Sequence, residues 1–106
     1  MTELEKVIKA LKETKLEDVS VYDLEMSSPF FDYFIVGTAH NKRELNSIVS
    51  KIWEEKLEYN HIEGTDESGW ILIDMGSIIL NIMTEEARNL YNLDSLYIKY
   101  KKVTIE

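Results

Sequence analysis

The sequence contains no cysteine. Disulfides, thiolate nucleophiles and cysteine-ligated zinc are therefore excluded. It has one proline, Pro29, and four glycines, so few positions force the backbone out of helix or strand. Basic residues are the minority: 12 Lys and Arg stand against 20 Asp and Glu, for a formal net charge of -8. Proteins that hold DNA or RNA draw their affinity from clustered Lys and Arg, so little direct nucleic-acid contact is expected. A basic protein surface is the better-matched partner, although the same charge also serves simply to keep a domain in solution. The N-terminus, MTELEKVIKALKE, is charged and amphipathic, with neither the apolar core of a signal peptide nor the length of a membrane span. No membrane contact and a cytoplasmic location are the expectation.

At 106 residues, 44% of them hydrophobic, the chain suits a single domain over 1–106 with a modest core and marginal stability. A dimer that covers further apolar surface would relieve that margin. Leu4, Val7, Ile8 and Leu11 recur at helical spacing behind a Thr2–Glu5 capping box, predicting a helix over 3–14. Residues 18–26 alternate imperfectly and suit a strand, which Ser27, Ser28 and Pro29 interrupt. The run DYFIVGT reads as a buried strand ending at Gly37. Asn41 can cap a long helix to about residue 57, with Leu45, Ile48, Val49, Ile52 and Trp53 on its apolar face. A short strand is expected near 59–63, then a strand pair, Trp70 to Asp74 and Ser77 to Met83, joined by Met75-Gly76 at hairpin length. Thr84 caps a short helix, TEEARNLY, and the tail from Leu96 alternates as an edge strand guarded by Lys99, Lys101 and Lys102. The fold class is α/β: a single domain with a mixed β-sheet packed by helices.

The candidate functional residues gather between 63 and 75. Glu63, Asp66 and Glu67 place three carboxylates within five residues, suited to meeting a basic surface or simply to solvation. Trp70 opens a strand straight after this polar loop and suits either an interface anchor or a core position. Strand alternation puts Leu72 and Asp74 on the face of Trp70, opposite Ile71 and Ile73. Asp74 and Gly76 have the chemistry of a turn, and Met75 would be presented beside them. Arg88 can share a helix face with Tyr91 and pair with Asp94 or Glu85. Asp23 and Glu25, two apart on the first strand, offer a weak cation pair without a third ligand. His40 and His61 lack metal-type spacing. No catalytic set is apparent, and no cofactor is implied.

Taken in order, several of these residues are similar to the ribosomal silencing factor family, also called RsfS or Iojap. They are Asp32-Tyr33-Phe34, Gly37-Thr38, Glu63-Gly64, Trp70 with Asp74 and Gly76, and the closing set Arg88, Tyr91, Leu93, Asp94 and Leu96. Two positions depart from the family pattern. Asn81 stands where a His is frequent, and Tyr97 where a Trp is frequent. An amide keeps hydrogen-bonding ability but does not titrate. The resemblance implies a nucleotidyltransferase-like core without the enzyme's active site. It implies a translational repressor that binds the large ribosomal subunit through ribosomal protein L-fourteen and blocks joining of the small subunit. It also implies a homodimer when the protein is free. The partner-binding set expected is Glu63, Asp66, Glu67, Trp70, Leu72, Asp74 and Met75. The competing readings are a nucleotidyltransferase-like enzyme and a dimeric adaptor unrelated to the ribosome. The enzyme lacks support because no Asp-x-Asp pair follows Gly76-Ser77.

Overall fold

The computed structural model describes residues 1–105. Helix α1 (Glu3–Lys12) begins at the expected capping box, with Thr2 and Glu5 bonding each other's backbone amides, and buries Val7, Ala10 and Leu11. Strands β1 (Glu17–Asp23) and β2 (Tyr33–Ala39) follow, then helix α2 (Lys42–Glu54), whose Asn41 cap accepts from the Glu44 amide at 2.9 Å. The chain continues through β3 (His61–Thr65), β4 (Trp70–Asp74) and β5 (Ile78–Thr84). It ends with α3 (Glu85–Tyr91), α4 (Asp94–Tyr97) and β6 (Lys101–Val103).

The six strands form one sheet in the order β3-β4-β5-β2-β1-β6. Only β2 and β5 run parallel, so the sheet is mixed. Those two central strands are apolar along almost their whole length, because both of their faces are covered. On one face Val21, Ile35, Ile71, Ile73, Leu80 and Ile82 pack with Val7, Leu11, Leu45, Ile48 and Ile52 of α1 and α2. On the other, Tyr22, Phe34, Val36 and Met83 pack with Ala87, Leu93 and Tyr97 from the α3–α4 segment.

The structure departs from the sequence expectations at several boundaries, each for a local reason. Trp53 is 61% exposed and donates its indole N–H to the Tyr59 hydroxyl at 2.9 Å. It lies eight residues beyond Leu45, about 80° round the helix, at the margin of the stripe that Leu45, Ile48 and Ile52 bury. The α2 helix stops three residues early because Lys56 turns left-handed, at φ 54°. The Leu57 amide then bonds back to the Ile52 carbonyl at 3.0 Å and the Lys56 amide to that of Trp53 at 3.1 Å, a Schellman termination. The tail is a strand only from Lys101, because 94–97 form the extra helical turn α4.

The β4–β5 turn falls one residue later than expected. The Met75 amide donates to the Ile78 carbonyl at 2.9 Å, so Gly76 and Ser77, not Met75 and Gly76, form the loop. Gly76 takes φ 84° there, a conformation open to glycine at little cost. Met75 thereby continues the inward alternation of Ile71 and Ile73.

Candidate protein-binding face

The α3–α4 segment covers only part of its side of the sheet. Over β1, β2 and β5 the face is closed: Tyr97 stacks on Phe34 with ring centroids 4.0 Å apart and approaches Tyr22 at 6.0 Å. Among the described residues, α3 reaches β4 through Tyr91 on Trp70, and no helix packs closely over β3 or the rest of β4 on this side. The pairing register aligns the residues of this open half in rows across the strands. Thr65 lies opposite Trp70, Glu63 opposite Leu72, and His61 opposite Asp74. Leu72 in turn faces Asn81 on β5, and Asp74 faces Ile79.

Trp70, Leu72, Asp74 and Glu63 are thus brought together on one surface. Trp70 and Leu72 are partly buried, while Glu63 is exposed. A shallow cleft of about 260 Å³ lies among Glu63, Gly64, Ser68, Trp70 and Leu72. Its floor depends on Gly64, which passes so close to β4 that a Cβ there would sit 2.1 Å from the Trp70 carbonyl oxygen. Trp70 also meets Tyr91 of α3, ring centroids 5.1 Å apart and tilted by 44°. The indole N–H of Trp70 donates to the side-chain oxygen of Asn81 at 2.9 Å.

The carboxylates have different local duties. Glu63 lies 2.7 Å from His61 Nε2. Asp66 accepts from the Asn46 side chain at 3.0 Å and so ties the β3–β4 loop to α2. Glu67 projects from the same loop. Asp74 organises the hairpin by accepting the Gly76 amide at 2.9 Å, the turn role its chemistry suggests. Met75 is a correction: at 7% exposure it belongs to the core, because the turn's later position points its side chain inward.

Two further residues of the face escape sequence reading in that role. Asn81 has no signal linking it to Trp70, since only the sheet register brings them together. Tyr91 is expected to share a face with Arg88, yet it turns to Trp70 while Arg88 turns toward the sheet. Arg88 pairs with Asp94, not Glu85, in a two-pronged contact of 2.9 and 3.0 Å. It also reaches Thr38, Ser20 and the Asp18 carbonyl. That carbonyl is exposed by a bulge in β1 between Glu17 and Ser20, where Asp18 takes φ 48°. Arg88 lies in a wider concavity of about 670 Å³, but all its N–H groups are engaged within the fold, so it is a clamp.

Asp23 and Glu25 do not form a pair on one strand face. Glu25 lies beyond the end of β1 and accepts from the Tyr33 hydroxyl at 2.5 Å. That bond raises the Tyr33 phenol to about 12. His40 sits between Glu44 at 2.6 Å and Glu17 at 2.9 Å, which raises its pKa above the ordinary 6.5. Among the described residues, no three His, Asp or Glu side chains gather as metal ligands would, and no helix is long and apolar enough to cross a membrane.

Fold and face together define a small mixed-sheet α/β domain with one sheet face half covered. The chain belongs to the ribosomal silencing factor family, whose model, "Ribosomal silencing factor during starvation", matches residues 1–106. It is 26% identical to ribosomal silencing factor RsfS of Bacillus subtilis over 92 residues, which cover 83% of this chain and 78% of that protein. It is also 26% identical over 102 residues to the mouse protein "Mitochondrial assembly of ribosomal large subunit protein 1", covering 90% of this chain but 45% of that one. The crystal structure of a Chromobacterium violaceum protein shares the fold with a TM-score of 0.81 at 21% identity, covering 98% of this chain and 90% of that one. One from Bacillus halodurans does so at 0.79 and 23%, covering 96% of each. The family is one of ribosome-associated regulators of translation.

Proposed function

We propose that the open half-face over β3 and β4 seats a basic protein surface of the large ribosomal subunit, that of ribosomal protein L-fourteen, and that occupancy sterically blocks the small subunit. The observation that carries this reading is a partly exposed Trp70, flanked by Tyr91 and Leu72 with Glu63 on the same cleft and Glu67 exposed on the adjoining loop, in a chain that belongs to the silencing family. Tryptophan held at the centre of a contact patch is the residue type that most often dominates binding energy. Acidic groups around it favour a basic partner and leave phosphate backbones repelled. The mechanism needs no cofactor and no catalysis, only a surface whose occupation excludes a second subunit. The protein acts in the cytoplasm. When free it pairs with a second copy, which would cover exposed apolar groups such as Leu90, Leu96 and Ile98.

Co-sedimentation with purified large subunits tests the reading. Trp70→Ala should leave the domain folded and weaken binding about 30-fold, the loss of about 2 kcal/mol that such an anchor supplies. Equal pelleting of the folded variant and the parent would rule out the anchor. Mixing both subunits with excess protein tests the blockade, and undiminished formation of whole ribosomes would rule that out.

A further inference from the structure

We infer that Asn81 is the positioning residue for Trp70, an inference that rests on the docking reading above for its functional meaning. Asn81 lies in the middle of β5 and is 0% exposed. A primary amide shut away from water must find partners for both ends. Its Nδ2 donates to the Ile35 carbonyl of β2 at 3.1 Å, and its Oδ1 accepts from the Trp70 indole N–H at 2.9 Å. A carbonyl can only accept and an indole N–H can only donate. The amide therefore has one chemically sensible orientation, since a flip would set donor against donor and acceptor against acceptor. The backbone of a central strand fixes Asn81, and Asn81 fixes the edge of the indole ring.

Two consequences follow for the docking face. Trp70 is held from both sides, by Asn81 at its N–H edge and by Tyr91 across its ring, so little rotamer freedom is lost when a partner arrives. Its only polar atom is also already engaged. The ring is offered to the partner as carbon surface over the Leu72–Glu63 cleft, not as a hydrogen-bond donor.

The test begins with the free, intact protein. The two indole N–H groups are resolved by NMR and assigned with Trp53→Phe. The Trp70 N–H should exchange with solvent about tenfold more slowly than that of Trp53, whose bond to Tyr59 lies on a residue 61% exposed. Asn81→Leu should abolish that protection and weaken large-subunit binding about tenfold. Asn81→His, with one ring nitrogen to accept and one to donate, should restore protection and bring binding within about threefold of the parent. A merely structural Asn81 would move stability without this joint loss and recovery. Should Asn81→Leu not fold, the parent and Asn81→His decide the matter by the same readouts. A Trp70 N–H that exchanges freely in the parent overturns the inference, as does unchanged binding by any folded variant whose indole is unprotected. A parent that fails to pellet with large subunits overturns the ribosomal reading alone, and the exchange measurement still decides the positioning.

Discussion

Arg88 shows how much a single side chain can organise. Its guanidinium joins α3 to the start of α4 through Asp94, and to β1 and β2 through Ser20 and Thr38. The Asp94 partnership is legible from a six-residue spacing, whereas Thr38 and Ser20 lie 50 and 68 residues away and no local pattern points to them. Arg88→Met should cost about 3 kcal/mol, because it strips the partner from a partly buried carboxylate. The readout is a lower urea midpoint at unchanged slope. Asp94 adds a pH dependence. Burial raises its pKa, but the bonds from Arg88 and Tyr22 outweigh burial and leave it below the ordinary 3.8. A depressed folded value means that the stabilisation is whole above pH 3.8 and is lost as the pH falls through the folded value. Asp94→Asn should therefore flatten the acid limb of the stability profile. Tyr22, raised to about 12 by burial and by Asp94, remains the donor in that bond throughout. His40 acts in the opposite sense. Raised by Glu44 and Glu17, its contribution is whole below pH 6.5 and fades as the pH rises through the folded value, and added salt should shrink it because the group is exposed.

Among the elements, those with a strong local code are the ones the sequence reveals. Thr2, Asn41 and Thr84 each cap the helix expected after them, since a side-chain oxygen three residues ahead of a free amide is a local arrangement. Helix ends are less legible. Lys56 occupies a left-handed position that glycine would mark, so the sequence carries no stop signal there. Lys56→Gly should raise stability by about 0.5–1 kcal/mol, measured as an increased urea midpoint. Gly64→Ala should do the reverse and cost more than about 1 kcal/mol. Its φ of 92° suits glycine alone, and the added methyl meets the Trp70 carbonyl. Amide exchange should then show β3 loosened from β4. The β4–β5 hairpin is readable as a unit, and its register follows from turn chemistry that the expectation of a Met75-Gly76 loop passed over: Gly76-Ser77 puts glycine first, where a two-residue turn needs a positive φ. One residue's difference decides whether Met75 faces a partner or the core.

At the scale of the whole molecule, charge and coverage set what the domain can do. With a net charge of -8, association with a basic partner should weaken several-fold as salt rises from about 50 to 300 mM, mainly through a slower on-rate, as read by kinetics on immobilised large subunits. The sequence by itself determined the class of fold, most of its elements and the acidic, cysteine-free character of its surface, because alternation, helical periodicity, caps and composition are properties of near neighbours. Its match to one family belongs with these, being an ordered pattern along the chain. Only the tertiary structure decided which half of the second sheet face stays open and that Tyr91 and Asn81 hold Trp70 there. Those outcomes depend on strand order, cross-strand register and the placement of α3 and α4, which bring together residues far apart in the chain, and no periodicity encodes a neighbour that distant.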